Sequence, residues 1–308
     1  MAALFDVEFN ATDISMSREE LTDAMNRCDV LVSTVTDTID DDLLNAASSR
    51  LKLIAQFGAG TDNIDVRAAY RKGITVTNTP DVLKEDTADL TMALILGASR
   101  RMVEGASYLT GEDRWDGWSP TWMLGHRIHG KRLGIVGMGR IGIAVAERAK
   151  AFGLAIHYHN RHEVAPDIAA DLNATRWKSL DEMLTQVDIL SINCPSTPET
   201  FHLINAKRLS LLPKSAYVIN TSRGEVIDEE ALISALEHDH IAGAGLDVFE
   251  HEPAVNDRLC KLAAKGKVVL TPHMSSATIE SRIEMGEKVI VSIKMMSDGD
   301  KPRDRVLP

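Results

Sequence analysis

At 308 residues, with 44% hydrophobic and 26% charged side chains, the chain has the length and composition of a globular protein of two domains with a sizeable core. A net charge of −11 argues against non-specific binding to nucleic acid or an anionic membrane surface, although a local arginine can still hold an anionic substrate. Cys28, Cys194 and Cys260 are far apart and odd in number, which disfavours a disulfide framework or zinc ribbon and suggests a reducing compartment.

Met1–Asn10 has no basic or apolar signal region, and no apolar run reaches the roughly 18 residues of a membrane helix, so a cytoplasmic protein is expected. Apolar runs then alternate with helix-like stretches, which predicts an α/β protein with parallel sheets. The first candidate strands are Phe5–Phe9, Val30–Thr34, Leu51–Phe57 and Ile74–Thr77. One long helix is expected from about Asp86 to Tyr108, capped by Asp86 or Thr87 and ended at Gly111. Trp115 to Gly130, rich in Trp, Gly and Pro, reads as loop, because Gly117 and Pro120 break the helical spacing of Trp115, Trp118 and Trp122.

A second α/β series follows, with strands at Arg132–Val136, Ala155–His159, Ile189–Asn193, Ala216–Asn220, Gly243–Asp247 and Val268–Thr271. Helices fit between them at Ile141–Phe152 and Asp228–Glu237, and a last long helix at Ile279–Met296 can return to the first domain. The tail Asp298–Pro308 is polar and expected to be loose.

Gly137-Met138-Gly139-Arg140-Ile141-Gly142 sits directly after the strand ending at Val136 and opens a helix, the setting a dinucleotide fingerprint requires. Gly137 allows the tight turn, Gly139 lets the backbone approach a pyrophosphate, and Gly142 allows close helix–strand packing. An NAD enzyme usually places an acid about 20 residues on. Here Asn160 takes that place and Arg161 follows. Asn tolerates a 2′-phosphate and Arg can pair with it, so NADP(H) is the expected cofactor, with NAD(H) possible if Arg161 only stacks on adenine. His157, His159 and His162 lack acidic or cysteine partners in their motif and are read as packing and solvated residues, not a metal site.

The segments QFGAGTDNID (56–65), GIVGMGRIG (134–142), NCPSTPET (193–200), NTSRGEVIDEEAL (220–232), AGLDVFEHEP (244–253) and TPH (271–273) make the chain resemble the D-isomer-specific 2-hydroxyacid dehydrogenases over nearly its whole length. HYHNR and the tryptophan-rich loop resemble the glyoxylate/hydroxypyruvate reductase branch. The resemblance implies two Rossmann-like or flavodoxin-like doubly wound domains with a cleft between them: residues 1–95 with 281–308 for substrate, and 96–280 for the dinucleotide. Hinges are expected near Ala93–Ala98 and Thr278–Arg282, and a homodimer is the family-based expectation.

Residue by residue, Arg223 offers a planar fork of donors for a substrate carboxylate, and His273 can move the proton that accompanies hydride transfer. Glu250 and Glu252 both stand near enough in sequence to tune that histidine, and the family pattern selects Glu252, immediately before the proline. The resemblance also implies that the N–H groups of Ala59 and Gly60 hold the substrate carboxylate. It places Asp247 near the nicotinamide amide and Thr87 at a cofactor contact. Cys194-Pro195 is expected to wall the adenine pocket with an inert thiol, and Thr200 and Thr221 complete the cofactor set. Trp118 is expected either to help close a substrate pocket, a neighbouring subunit's included, or to pack in a dimer interface.

Three departures from the family pattern stand out. The first domain is expected to lack its opening βα unit, so that Phe5–Phe9 follows a missing central strand and the native protein is expected to start upstream, unless the chain is truncated or another segment or chain fills the gap. Ser196, and Met274-Ser275 after the histidine, replace commoner residues without removing a reacting group. The expected reaction is reduction of small 2-keto acids, glyoxylate and hydroxypyruvate first. The rivals are a D-lactate or phosphoglycerate type of dehydrogenase and a dinucleotide-sensing binding protein of the same fold.

Overall fold

A computed structural model of the chain describes residues 1–12, 14–111 and 115–308. It comprises two compact units, Met1–Leu83 with Ala277–Pro308, and Lys84–Ser276. The boundaries differ from the expected 95–96 and 280–281 because helices do not divide. The helix Lys84–Ser99 buries Ala88, Met92, Leu94 and Ile95 in the same core as Leu133 and Ile135 of the second unit. The helix Ile279–Ser297 buries Val289 and Ile293 against Leu53 and Ala55 of the first.

In the first unit β1 (Val30–Ser33), β2 (Leu53–Gln56) and β3 (Thr75–Thr77) form a parallel sheet in that order. All four residues of β2 are buried, since successive side chains enter two cores. Ile54 packs with Leu21, Met25 and Leu44, whereas Leu53 and Ala55 meet the returning helix. Ser17, Asp40 and Asp65 start the helices Arg18–Arg27, Asp41–Ala46 and Val66–Arg71 by accepting backbone N–H bonds.

Two sequence expectations change in this unit. Phe5–Phe9 alternates like a strand, but among the described residues no neighbouring strand takes its backbone groups, and it is not one. Phe5 packs beside Leu53 and Val289, and Phe9 is 66% exposed. The tail after Asp298 is tied down rather than loose. Val306 N–H donates to Val76 O at 2.9 Å, Asn78 N–H to Asp304 O at 3.2 Å, and Lys288 pairs with Asp304 at 3.1 Å.

Among its described residues the second unit has seven parallel strands: β4 (Arg132–Val136), β5 (Ala155–His159), β6 (Thr175–Arg176), β7 (Ile189–Ile192), β8 (Tyr217–Asn220), β9 (Gly243–Leu246) and β10 (Val268–Leu270). Their order is β10-β9-β8-β7-β4-β5-β6. Leu133, Ile135, Ile189 and Ile219 face one core while Val136, Leu190, Ile192 and Val218 face the other, so helices cover both faces and the strands read as continuous apolar runs. The order reverses between β4 and β7, which opens the crevice where doubly wound sheets take their ligands. β6, only two residues long, was not legible as a strand.

The single helix expected over Asp86–Tyr108 is two, Lys84–Ser99 and Met102–Thr110. Ser99 O accepts from His126 N–H at 2.7 Å instead of continuing the helix, and Arg101 turns left-handed at φ 54°. Among the described residues no helix is long and apolar enough to cross a membrane.

Candidate active site

The residues singled out in the second unit lie just past the C-terminal ends of its parallel strands: Gly137 after β4, Asn160 after β5, Cys194 after β7, Thr221 and Arg223 after β8, Asp247 after β9, and His273 after β10. Chain direction alone gathers them at one end of the sheet, since every strand runs the same way.

The glycine loop has the shape a pyrophosphate needs. Gly137 has φ +93°, and a Cβ there would sit 2.6 Å from the Cys194 nitrogen, so only glycine fits between β4 and β7. A Cβ on Gly142 would meet Gly137 O at 2.4 Å, leaving no room between helix and loop. A Cβ on Gly139, by contrast, would meet nothing within 4 Å, and this open position precedes the first turn of the helix Arg140–Ala151. The helix N-terminus brings unpaired N–H groups and a partial positive charge to that space. Arg140 is exposed and Ile141 half-buried in the turn that begins there.

Two buried polar atoms beside this region have no hydrogen-bond partner among the described residues. Thr87 is 2% exposed with its hydroxyl unbonded, and Oδ1 of the half-buried Asn193 is likewise buried and unbonded. Thr221 is buried as well, with its hydroxyl 2.8 Å from Thr91, which itself donates to Thr87 O at 2.7 Å. An orphaned hydroxyl and a cradle that admits no side chain fit a bound dinucleotide.

Asn160 has a task the sequence did not disclose. Its Oδ1 accepts from Met138 N–H at 2.6 Å and its Nδ2 donates to Met138 O at 3.2 Å, so the side chain clasps the glycine loop from β5. Arg161 is exposed next to it. Thr200 is likewise engaged within its own loop, donating to Pro195 O at 2.7 Å and accepting from Thr197 N–H at 2.8 Å. Burial pushes the Cys194 thiol up to about 11, which makes it a poor nucleophile at neutral pH. His157 Nδ1 accepts from the Trp177 indole at 2.9 Å, and burial, reinforced by Arg132, pushes its pKa down.

The reacting groups come from three adjoining loops. His273 Nδ1 lies 2.7 Å from Glu252 Oε2, and Glu252 Oε1 accepts from Phe249 N–H at 2.9 Å. Burial alone would push the Glu252 carboxyl up. The hydrogen bond and charge of His273, the Phe249 N–H and the charge of Arg223 outweigh burial and hold it below its usual range. Of the two candidate acids, Glu250 turns elsewhere, to His202 Nε2 at 2.8 Å. Arg223 is anchored through its own main chain: Asn220 Nδ2 donates to Arg223 O at 2.8 Å, and Asn220 Oδ1 takes the N–H and hydroxyl of Ser222.

Asp247 is wholly buried, and its carboxylate takes the Thr271 hydroxyl at 2.6 Å and the N–H groups of Met274 and Ser275, both at 2.9 Å. It therefore braces the turn on which His273 stands, a bracing role beside the expected one near a nicotinamide amide. His273 itself has φ 49°, and its N–H donates to Asp247 O at 2.8 Å.

In the first unit the loop after β2 carries Ala59 and Gly60. Asn78 Nδ2 donates to Ala59 O at 2.7 Å and Gln56 Nε2 to Gly60 O at 3.2 Å. Gln56 is fully buried and also holds Ser33 and Asn63. Sequence reading missed Gln56, Asn63 and Asn78, although amides clustered around a glycine turn are a signal of a loop held from behind. Among the described residues Trp118 joins no hydrophobic cluster, and it is 79% exposed.

The family model for the NAD binding domain of D-isomer specific 2-hydroxyacid dehydrogenases matches residues 92–275. The chain is 42% identical over 301 residues to a glyoxylate reductase of Pyrococcus horikoshii, spanning 97% of this chain and 88% of that protein. It is 45% identical over 294 residues to a glyoxylate reductase of Aeropyrum pernix, spanning 94% and 85%. Among solved structures, a glyoxylate reductase from Paecilomyes thermophila superposes with a TM-score of 0.83 at 35% identity, covering 94% of this chain and 88% of that one.

Proposed function

The chain belongs to the D-isomer-specific 2-hydroxyacid dehydrogenases, oxidoreductases acting on CH–OH donors with a nicotinamide dinucleotide, and from that premise we propose that it is an NADP(H)-preferring reductase of glyoxylate and hydroxypyruvate. The observation that carries the reading is the 2.7 Å contact between His273 and Glu252, at the same end of the sheet as the glycine loop. When bound, the dinucleotide supplies the hydride. Thr87, the Gly137–Ile141 loop, Asn160, Arg161, Cys194, Pro195, Thr200, Thr221 and Asp247 would hold or border it.

His273 gives a proton to the carbonyl oxygen as the keto carbon is reduced, and takes it back in the reverse direction. Glu252 fixes the ring and offsets its positive charge. Arg223 and the N–H groups of Ala59 and Gly60 fix the substrate carboxylate and polarise the carbonyl. Asn160 in place of an acid, with Arg161 beside it, supports NADP(H) over NAD(H).

We further propose a cytoplasmic homodimer. The helix Met102–Thr110 buries none of its residues and exposes Met102, Val103 and Leu109, and Trp118 is also bare. Such an apolar surface suits a second subunit. The deciding assay is oxidation of NADPH and NADH with glyoxylate and with hydroxypyruvate. Faster turnover with NADPH supports the whole reading. Faster turnover with NADH overturns the cofactor preference, and no turnover by a folded, dinucleotide-binding protein overturns the substrate reading.

A further inference from the structure

Behind the proposed acid–base pair lies a second polar cluster that takes no part in the chemistry. Glu250 and Glu229 exchange hydrogen bonds: Glu229 N–H donates to Glu250 Oε2 at 3.4 Å, and Glu250 N–H donates to Glu229 Oε2 at 3.2 Å. The other oxygen of Glu250 faces His202 Nε2 at 2.8 Å. The side chain of Glu250 is only 16% exposed, and Glu229 is 9% exposed. Two carboxylates and an imidazole thus meet where a lone buried charge would be costly.

The residue beside Glu250 joins three loops. Phe249 N–H holds Oε1 of Glu252, whose Oε2 holds His273. Gly224, the neighbour of Arg223, lies so close beneath that its Cβ would fall 2.0 Å from the Phe249 carbonyl carbon and 2.4 Å from the Glu250 nitrogen. A shift of Phe249–Glu250 therefore moves the supports of Glu252, His273 and Arg223 together.

We propose that Glu250, clamped by His202 and Glu229, is a positioning residue that sets the place of the Glu252–His273 pair and of Arg223. The inference rests on the 2-keto acid reductase reading. The charged groups facing the clamp are His202 and Glu229, with His251 and Glu230 acting on Glu229. Burial holds the Glu229 carboxyl above its usual range.

The test compares E250A, E250Q and H202A with the wild type by kcat, keto-acid KM, the pH profile of kcat, dinucleotide affinity from fluorescence quenching, and melting temperature. Glutamine can still accept from Glu229 N–H and donate to a neutral His202. E250A should lower kcat on the order of tenfold to a hundredfold, the scale of an ångström-sized misplacement, and move the alkaline limb of its profile to lower pH. Dinucleotide affinity should stay within about twofold, E250Q should recover most of kcat, and H202A should fall between. An active wild type with E250A unchanged in kcat and pH profile, whatever its melting temperature, overturns the proposal. So does loss of dinucleotide affinity in step with kcat, which marks general damage. If E250A does not fold, H202A decides on the same criteria. A wild type without turnover overturns the reductase reading and this inference with it.

Discussion

Nδ1 of His273 donates to Oε2 of Glu252 across 2.7 Å. A carboxylate can only accept, so the shared proton belongs to Nδ1, and Nε2 is the nitrogen left to serve a substrate. Glu252→Gln keeps an acceptor for that bond and removes the charge. Reductase kcat should fall on the order of tenfold to a hundredfold, and the alkaline limb of the rate profile should move to lower pH. An unchanged profile would remove Glu252 from the acid–base step.

The same carboxyl makes a prediction about stability. Its pKa is held below the usual range in the folded protein, so the group binds protons more readily when unfolded. Its contribution is then full above the unfolded value, about 4.3, and is lost as pH falls through the lower folded value. Melting temperatures of wild type and Glu252→Gln should differ most at neutral pH and converge in acid. A gap that widens in acid would contradict the sign of the shift.

Much of this site was legible because chemistry and backbone demand particular residue types. Gly137 and Gly142 stand where the chain leaves no space, and all the strands of the second unit but β6 stood out as apolar runs. The partners of buried polar groups were not legible. Asn160 clasping Met138, Asp247 bracing the turn of His273 and Gln56 backing Gly60 join positions far apart in sequence, and spacing alone carries no trace of them. Phe5–Phe9 failed for a related reason: alternation reports a face, while a strand also needs a neighbour.

Gly224 and Gly139 should respond oppositely to alanine. At Gly224 the new carbon would fall 2.0 Å from backbone, so the fold should lose about 1–3 kcal/mol or more, and activity with it. At Gly139 there is open space and φ is −88°, so the variant should melt like wild type. Its methyl would instead occupy the approach of the pyrophosphate and weaken dinucleotide binding about tenfold, or ~1.4 kcal/mol. Equal behaviour of the two variants in melting and in binding would refute this division of roles.

Asp247→Ala would strand the Met274 and Ser275 N–H groups and the Thr271 hydroxyl around a buried space. Hydrogen bonds to a charged group are worth about 1.5–3 kcal/mol each, so the loss should exceed that of most surface changes and should loosen His273. Thr271→Val removes a single one of these bonds and should cost about 1.5–3 kcal/mol. Denaturant melts of the two variants set the order, and a larger loss from Thr271→Val would reverse the assignment.

Cofactor preference should answer to the end of β5. Asn160→Asp keeps an acceptor for Met138 N–H but forfeits the bond to Met138 O and adds a charge that repels a 2′-phosphate. The ratio of kcat/KM for NADPH over NADH should fall about tenfold. Arg161→Ala should lower the NADPH value and leave that for NADH near wild type. Identical ratios in all three proteins would place the discrimination elsewhere.

Thr87 separates a binding role from a structural one most sharply, because its hydroxyl is buried and has no partner among the described residues. A group in that state contributes nothing to folding through hydrogen bonding and carries the cost of leaving water. Thr87→Val keeps the branched shape and removes the oxygen. Its melting temperature should equal or exceed that of wild type, since no bond is lost. Dinucleotide affinity should weaken about fivefold, the worth of one hydrogen bond near 1 kcal/mol, with the keto-acid KM unchanged at saturating dinucleotide. A destabilised Thr87→Val of normal affinity would mean that the hydroxyl serves the fold and not the cofactor.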